Sequence, residues 1–158
     1  MTEAKRILSA RLEKLEKNFE AIRSYKLLID ALSAKKDIFN GSVFVTLVPE
    51  EKALFDAYLK RFASIQDFLG SKIFPLLLEI SGIVNAKMSE VLIQMEKEEI
   101  IDNLDNWIEL REKRNNLEHD YPDDLEDALR DLRFCVDSLS RLESYYARVI
   151  AFTRRYGA

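Results

Sequence analysis

The sequence of 158 residues contains one cysteine, Cys135, and one histidine, His119. A single cysteine excludes an intramolecular disulfide framework and a cysteine-based zinc site, and it fits a reducing cytosol. A single histidine excludes the metal sites that need two histidines from one chain. We expect Cys135 to be a small packed thiol rather than a nucleophile, because it lies inside a predicted helix between Phe134 and Val136.

Long apolar runs and an excess of positive charge are also lacking. No stretch reaches the roughly 18 apolar residues of a membrane-spanning helix, and the charged N-terminus has no apolar run of signal-peptide length. Lys and Arg total 24 against 28 Asp and Glu, which gives a net charge of -4. The field of such a protein mildly repels phosphate, so contact with nucleic acid requires a local patch. We predict a cytoplasmic protein without membrane contact.

Only four glycines and three prolines interrupt a sequence that is 47% hydrophobic. Apolar residues at alternating steps of three and four predict a long amphipathic helix over residues 5–33. Pro49, followed by two acidic residues, predicts the start of a second helix. Between them, residues 37–49 hold the Asn40-Gly41 turn signal and a β-branched run, which is typical of a hairpin. Because no partner strand is evident, we predict a structured connection instead.

The rest of the chain also predicts helices. Pro75 indicates a kink or a new helix, residues 91–98 form a short helix, and Asp102 or Asn103 caps the next one. That helix should end between residues 119 and 121, because Pro122 restricts the residue before it. The last segment starts at Pro122 and repeats apolar residues from Leu125 to Val149, which predicts one helix of about thirty residues, near 45 Å long. We therefore predict a single all-α domain over residues 1–158, an antiparallel bundle of four to five helices.

Residues 109–122 form the one local cluster rich in reactive groups. Arg114, His119 and Tyr121 bring a guanidinium, an imidazole and a phenol to a predicted helix end. The same residues also fit a charged, solvated helix end, with His119 in a turn and the Tyr121 ring packed against the core. Trp107, on the same helix, fits core packing better than a platform for stacking bases.

The spacing of these residues resembles a known signature. Arg114, four residues, His119, one residue and Tyr121, with the polar Asn115 directly after the arginine, is similar to the motif of HEPN-domain ribonucleases of the HepT toxin branch. The flanking residues that are also similar to that branch are 98–102, 107–111 and Pro122, and more loosely Arg61-Phe62, Gln66-Asp67 and Leu69-Gly70. The similarity thus covers about residues 58–132.

The resemblance implies a HEPN-like homodimer in which two motif copies face each other across a cleft. It implies a metal-independent endoribonuclease without a cofactor, the toxin component of a toxin-antitoxin pair. Arg114 and His119 would be catalytic, and Asn115 and Tyr121 would support them. The implied partner is a minimal nucleotidyltransferase antitoxin, which silences some members by adenylylating the tyrosine that corresponds to Tyr121.

Helical geometry also bears on whether the site needs a dimer. Arg114 and His119 are five residues apart, so on an unbroken helix they point about 140 degrees away from each other. Either the helix ends between them, or Arg114 of one chain pairs with His119 of the other. Cleavage through the ribose 2′-hydroxyl needs a proton acceptor, a proton donor and a cation at the phosphate, and a two-fold dimer supplies two copies of each residue. Asp120 and the acidic residues after it could raise the pKa of His119 or repel RNA.

A second hypothesis comes from a different functional class. The chain could be a non-catalytic helical subunit that binds substrate for, or acts as an adaptor of, a minimal nucleotidyltransferase. The net charge of -4 suits a protein partner better than RNA. This hypothesis gives no reason for Arg114, His119 and Tyr121 to occur together, so we favour the ribonuclease.

Overall fold

The structure, a computed structural model, describes residues 2–83, 87–119 and 124–157, with residues 118 and 119 described for the backbone alone. These residues are almost entirely helical and contain no β-strand, which confirms the all-α prediction. The helices in chain order are α1 (Glu3–Lys35), α2 (Gly41–Phe44), α3 (Pro49–Phe68), a π-helical turn (Leu69–Ile73), α4 (Phe74–Ile80), α5 (Met88–Lys97), α6 (Leu104–His119), α7 (Leu125–Asp137) and α8 (Leu139–Arg155).

The first helix, α1, forms where the three-four periodicity predicts it. Its N-terminus is capped by Thr2, whose Oγ1 accepts a hydrogen bond from the backbone N–H of Lys5 at 3.2 Å. One face is buried along the whole length, from Leu8 to Ile29. This face packs most extensively on α3, which runs antiparallel: Lys36 at the end of α1 pairs with Glu51 at the start of α3.

The connection between α1 and α3 contains no strand, so the hairpin alternative is wrong and the predicted structured connection is confirmed. Asn40 caps the short helix α2, since its Oδ1 accepts from the backbone N–H of Ser42 at 2.9 Å. Asn40-Gly41 is thus a helix start, because the asparagine side chain satisfies a backbone donor that a hairpin would pair with another strand. Buried Ile38 and Leu47 anchor the two ends of the connection.

The second helix begins at Pro49, as predicted, and continues through the π-helical turn into α4. The backbone N–H of Phe74 donates to the carbonyl of Leu69, five residues back, and Pro75 follows without a donor of its own. Arg11 of α1 donates through Nη1 to the carbonyl of Lys72 at 2.7 Å. Pro75 thus lies in the first turn of α4, which confirms the predicted alternative of a new helix, and the wider turn before it changes the hydrogen bonding around it.

The prediction of one long C-terminal helix is wrong, because the helix is divided at Ser138 into α7 and α8. The Ser138 hydroxyl donates to the carbonyl of Phe134 at 2.5 Å, a local bond that competes with the regular helical pattern. The hydroxyl of Tyr58 on α3 donates to the carbonyl of Cys135 at 2.7 Å at the same place. This break and the short α2 make the separate helices more numerous than the four to five predicted.

The buried side chains of all the long helices join in one hydrophobic cluster. Cys135 is fully buried in it, as expected of a packed thiol. Trp107 is 3% exposed and packs against the rings of Phe74 and Tyr145, with centroid distances of 5.2 and 5.7 Å, which confirms its core role. No helix within the described ranges is long and apolar enough to cross a membrane.

Candidate active site on α6

Helix α6 carries the motif residues, and its start is fixed by side chains. The Oδ1 atom of Asn103 accepts from the backbone N–H of Asn106 at 2.7 Å, so Asn103 is the predicted N-cap. Glu96, on α5, accepts from the backbone N–H of Leu104 at 2.6 Å. The helix then runs without interruption to His119, within the range predicted for its end.

The uninterrupted helix excludes one of the two alternatives stated above, a helix end between Arg114 and His119. The backbone is helical at every residue from Arg114 to His119, so the helix does not end between them. The separation of about 140 degrees around the helix axis therefore applies. Within one protomer, the backbone therefore places Arg114 and His119 at different angular positions around the axis of α6.

Arg114 is buried between α6 and α3, with only 4% of its surface exposed. Its Nε donates to Oε1 of Gln66 at 2.9 Å, and its Nη2 donates to the carboxylate of Asp67. Both partners come from the last turn of α3. The three residues, Arg114, Gln66 and Asp67, are called the Arg114 cluster below.

The amide of Gln66 can point in only one direction within this cluster. Gln66 is 1% exposed, and its Nε2 donates to the backbone carbonyl of Trp107 at 3.0 Å. Because a carbonyl oxygen only accepts, the amide nitrogen must face Trp107, and the amide oxygen is left for the guanidinium. The backbone of α6 thus orients Gln66, and Gln66 in turn orients the Arg114 side chain of the same helix.

The charge of Arg114 is balanced at the edge of the cluster. A buried guanidinium requires a partner, because its transfer out of water is costly. The Asp67 side chain provides the opposite charge while remaining 64% exposed. The cluster therefore holds a guanidinium cation, paired with a carboxylate, just below the surface of the protein.

A groove of about 360 Å3 lies beside this cluster, between the end of α3, the π-helical turn, α5 and α6. Arg111, which is exposed, lies three residues before Arg114 and therefore on the same side of α6. The residues that line this α5–α6 groove are Gln66, Asp67, Gly70, Ser71, Met88, Leu92, Trp107, Arg111 and Arg114. The described charged groups of the lining are two arginines and one aspartate, so the groove is more positive than the protein as a whole.

The predicted site residues are thus described to different extents. Arg114 is fully described, and Asn115 is half-buried next to it. His119 is the last residue of α6, where the backbone alone is described. Tyr121 and Asp120 lie outside the described residues. Among the residues that are described, no three His, Cys, Asp or Glu side chains come together as metal ligands.

Three residues of the site, Gln66, Asp67 and Arg111, were not assigned a role from the sequence. Gln66 interrupts the buried face of α3, and Arg114 interrupts the apolar stripe of Trp107 and Leu110 on α6. A polar residue in each of two buried stripes indicates a buried hydrogen-bonded pair, so this signal was present. Arg111 could also have been found, since its spacing from Arg114 places both on one side of a helix.

No protein-family model matches the chain, and neither a curated protein nor a solved structure matches it significantly. Function is therefore inferred from the residues of the site and from the resemblance of its motif.

Proposed function

We propose that the protein is a metal-independent endoribonuclease of the HEPN type, the toxin component of a toxin-antitoxin pair. The observation that carries this proposal is the Arg114 cluster: a permanent cation is held in one orientation at a groove, on the helix that ends at His119. Preorganised cations of this kind stabilise the charge that develops on a phosphate during cleavage.

In the proposed reaction the ribose 2′-hydroxyl attacks the adjacent phosphate. One His119 accepts the hydroxyl proton, the bond to the 5′-oxygen breaks, and the protonated His119 of the other protomer donates a proton to that oxygen. The products are a 2′,3′-cyclic phosphate and a 5′-hydroxyl. Each chain has one histidine, and the backbone of an uninterrupted α6 places Arg114 and His119 about 140 degrees apart around the helix axis. Both facts support a HEPN-like homodimer whose site combines residues from two protomers.

The remaining motif residues have supporting roles in the proposal. Asn115 helps to hold the scissile phosphate, and Tyr121 orients it and serves as the control point. A minimal nucleotidyltransferase antitoxin is the proposed partner in the cytoplasm, and it silences the ribonuclease by adenylylating Tyr121. An adenylate places a bulky anion where the RNA phosphate must bind, so it blocks the site both sterically and by like-charge repulsion.

One observation favours the alternative, a non-catalytic substrate-binding or adaptor subunit of the nucleotidyltransferase. Arg114 is 4% exposed and donates to two protein side chains, so in a single protomer it is tied into the packing between α3 and α6. A residue held in this way also serves a purely structural purpose. A test of catalysis separates the two functions, because an adaptor cleaves nothing.

The test is incubation of the purified chain, free of partner, with total RNA in excess chelator. We expect cleavage that leaves 2′,3′-cyclic phosphates, and a loss on the order of a hundredfold or more in His119→Ala and in Arg114→Ala. Lys113→Ala is the matched control, because Lys113 lies on the same helix but pairs with Asp131 of α7. It should cleave at the normal rate.

Circular dichroism of each variant shows whether the fold is retained. A complete absence of cleavage by the folded chain would select the adaptor. Cleavage that is abolished by chelator and restored by magnesium would contradict the metal-independent mechanism.

A further inference from the structure

The α5–α6 groove has two walls of different chemical character. On one side lie the charged and polar groups of Asp67, Ser71 and Arg111. On the other side α5 contributes Met88, which is 42% exposed, and Leu92. A ligand that fits both walls has a charged part and an apolar, flat part joined in one molecule.

The two arginines of the groove differ in what they can bind. Arg114 donates through Nε and Nη2 to Gln66 and Asp67, so its main contribution to a ligand is electrostatic. Arg111 is exposed and forms no ion pair with any residue that the structure describes. Its guanidinium can bind an anion with two parallel hydrogen bonds, the geometry that suits a phosphate.

Asp67 adds an acceptor to the polar wall. Its carboxylate is 64% exposed and accepts one hydrogen bond from Arg114, whereas an ionised carboxylate has about four acceptor positions. The remaining positions can accept from ribose hydroxyls or from an amino group on a base. A phosphate, hydroxyl or amino groups and a flat apolar ring together describe a nucleotide.

We propose that the α5–α6 groove binds one nucleotide, with Arg111 contacting the phosphate and the base lying against Met88 and Leu92. The volume of about 360 Å3 lies at the lower end of the range of small-molecule sites, roughly 300 to 1,000 Å3. The inference rests on the proposed function in one respect: the nucleotide bound here is part of the RNA strand whose phosphate reaches Arg114. The groove and its binding residues do not depend on cleavage.

The test is a calorimetric titration of the full chain, in excess chelator, with adenosine 5′-monophosphate, ribose 5-phosphate and inorganic phosphate. We expect the nucleotide to bind at least about fivefold more tightly than the other two, because it alone covers the apolar wall. Arg111→Ala should weaken nucleotide binding about tenfold or more, the loss of a charged hydrogen bond. Lys113→Ala, which removes one positive charge from the same helix outside the groove, should leave it unchanged.

A second pair of variants tests the apolar wall. Met88→Ala should weaken binding of the nucleotide but not of ribose 5-phosphate, whereas Ile93→Ala, at an exposed residue of α5 that is not among those lining the groove, should change neither. Equal affinity for all three ligands, or full binding by Arg111→Ala, would overturn the inference.

Failure of this inference is distinguishable from failure of the proposed function. A chain that cleaves RNA in chelator but binds no nucleotide through Arg111 contradicts the groove alone. A chain that binds the nucleotide through Arg111 and Met88 but cleaves nothing contradicts the ribonuclease alone.

Discussion

Arg114 and Arg23 are each held between two acceptors, but the two surroundings differ in burial and in charge. Arg23 on α1 donates through Nε to Glu143 of α8 at 2.6 Å and through Nη1 to Glu16 of α1 at 3.0 Å. Its side chain is 40% exposed. Arg23, Glu16 and Glu143 are called the Arg23 cluster. It contains two carboxylates, whereas the buried Arg114 cluster contains one carboxylate and a neutral amide.

The pKa values in the Arg23 cluster follow from this excess of negative charge. The hydrogen bond to Glu143 raises the pKa of Arg23, and burial opposes this only partly. Burial opposes ionisation of Glu16, but hydrogen bonds from Arg23 and Tyr146 hold its pKa below the ordinary value. Burial and the bond to Glu16 raise the pKa of Tyr146 to about 12. All three groups keep their ordinary charge states near neutral pH, which is typical of a structural link between two helices.

The comparison shows how context decides what an arginine does. The Arg23 cluster neutralises its cation more than once, at the surface, and joins α1 to α8. The Arg114 cluster combines its cation with one carboxylate and one neutral amide, mostly out of water, and places it beside a groove. The stability of this second arrangement depends on a neutral side chain.

Gln66→Leu should have the largest effect on stability. The change removes the Gln66 acceptor from Nε of Arg114, and a buried polar group that loses such a partner costs about 1 to 3 kcal/mol. The carbonyl of Trp107 also loses the Gln66 donor, but it keeps its partner within α6. We expect the free energy of unfolding to fall by about 3 kcal/mol, and Tm by about 6 to 12 °C. Urea and thermal unfolding measure these changes.

Gln94→Leu is the matched control for this variant. Gln94, on α5, is half-buried and donates only to Glu98, at 3.3 Å. Its loss should change the free energy of unfolding by no more than about 0.5 kcal/mol. If Gln66→Leu also left the free energy of unfolding almost unchanged, the Gln66 amide would not be what holds the Arg114 cluster together.

Arg23→Met should have a smaller effect that depends on salt. Solvent screens an exposed pair, so we expect a loss of less than about 1 kcal/mol at low ionic strength, and less still near 1 M salt. The same salt series on Gln66→Leu should show a constant loss, since an amide carries no net charge. If Arg23→Met caused a large loss of unfolding free energy that did not depend on salt, the Arg23 cluster would not differ from the Arg114 cluster in its screening by solvent.

The smallest expected effect is the pH dependence at Glu16. Because the pKa of Glu16 is lowered in the folded state, its ionised form stabilises the fold. This contribution is present above the pKa of an unfolded glutamate, about 4.3, and is lost as the pH falls through the lower pKa of the folded state. The stability difference between wild type and Glu16→Gln should therefore be a few tenths of a kcal/mol near neutral pH, at the low end for exposed pairs, and shrink on acidification. If this stability difference instead grew as the pH fell, the pKa of Glu16 would be raised by folding rather than lowered.

Much of the helical arrangement is predictable from residues whose effect is local. The stripe of α1, Pro49 at the start of α3 and the Asn103 cap of α6 are correctly predicted, because each acts within a few residues of itself. The break at Ser138 is not, because a serine inside an apolar periodicity is a weak local signal. It depends on Tyr58, which is distant in the sequence and meets the break only in the folded chain.

The candidate site also has features that are local in the sequence and features that depend on how the helices pack. The sequence predicts that the helix carrying Arg114 ends between residues 119 and 121, and α6 extends over Leu104–His119. The partners of Arg114 on α3 and the α5–α6 groove require knowledge of which helices pack together. Periodicity shows which face of a helix is buried, but not against which neighbour.

Because of the π-helical turn at residues 69–73, the number of residues between α3 and α4 matters for the packing of α4 as much as their identity does. The turn holds one residue more than a regular helical turn, and Gly70 within it faces Trp107 so closely that an added Cβ would lie 3.2 Å from the indole. Deletion of a single residue here would restore ordinary helix and rotate everything after it by about 100 degrees. The buried residues of α4 would then face water. Insertions and deletions between α3 and α4 should thus be far rarer among descendants of this sequence than substitutions are.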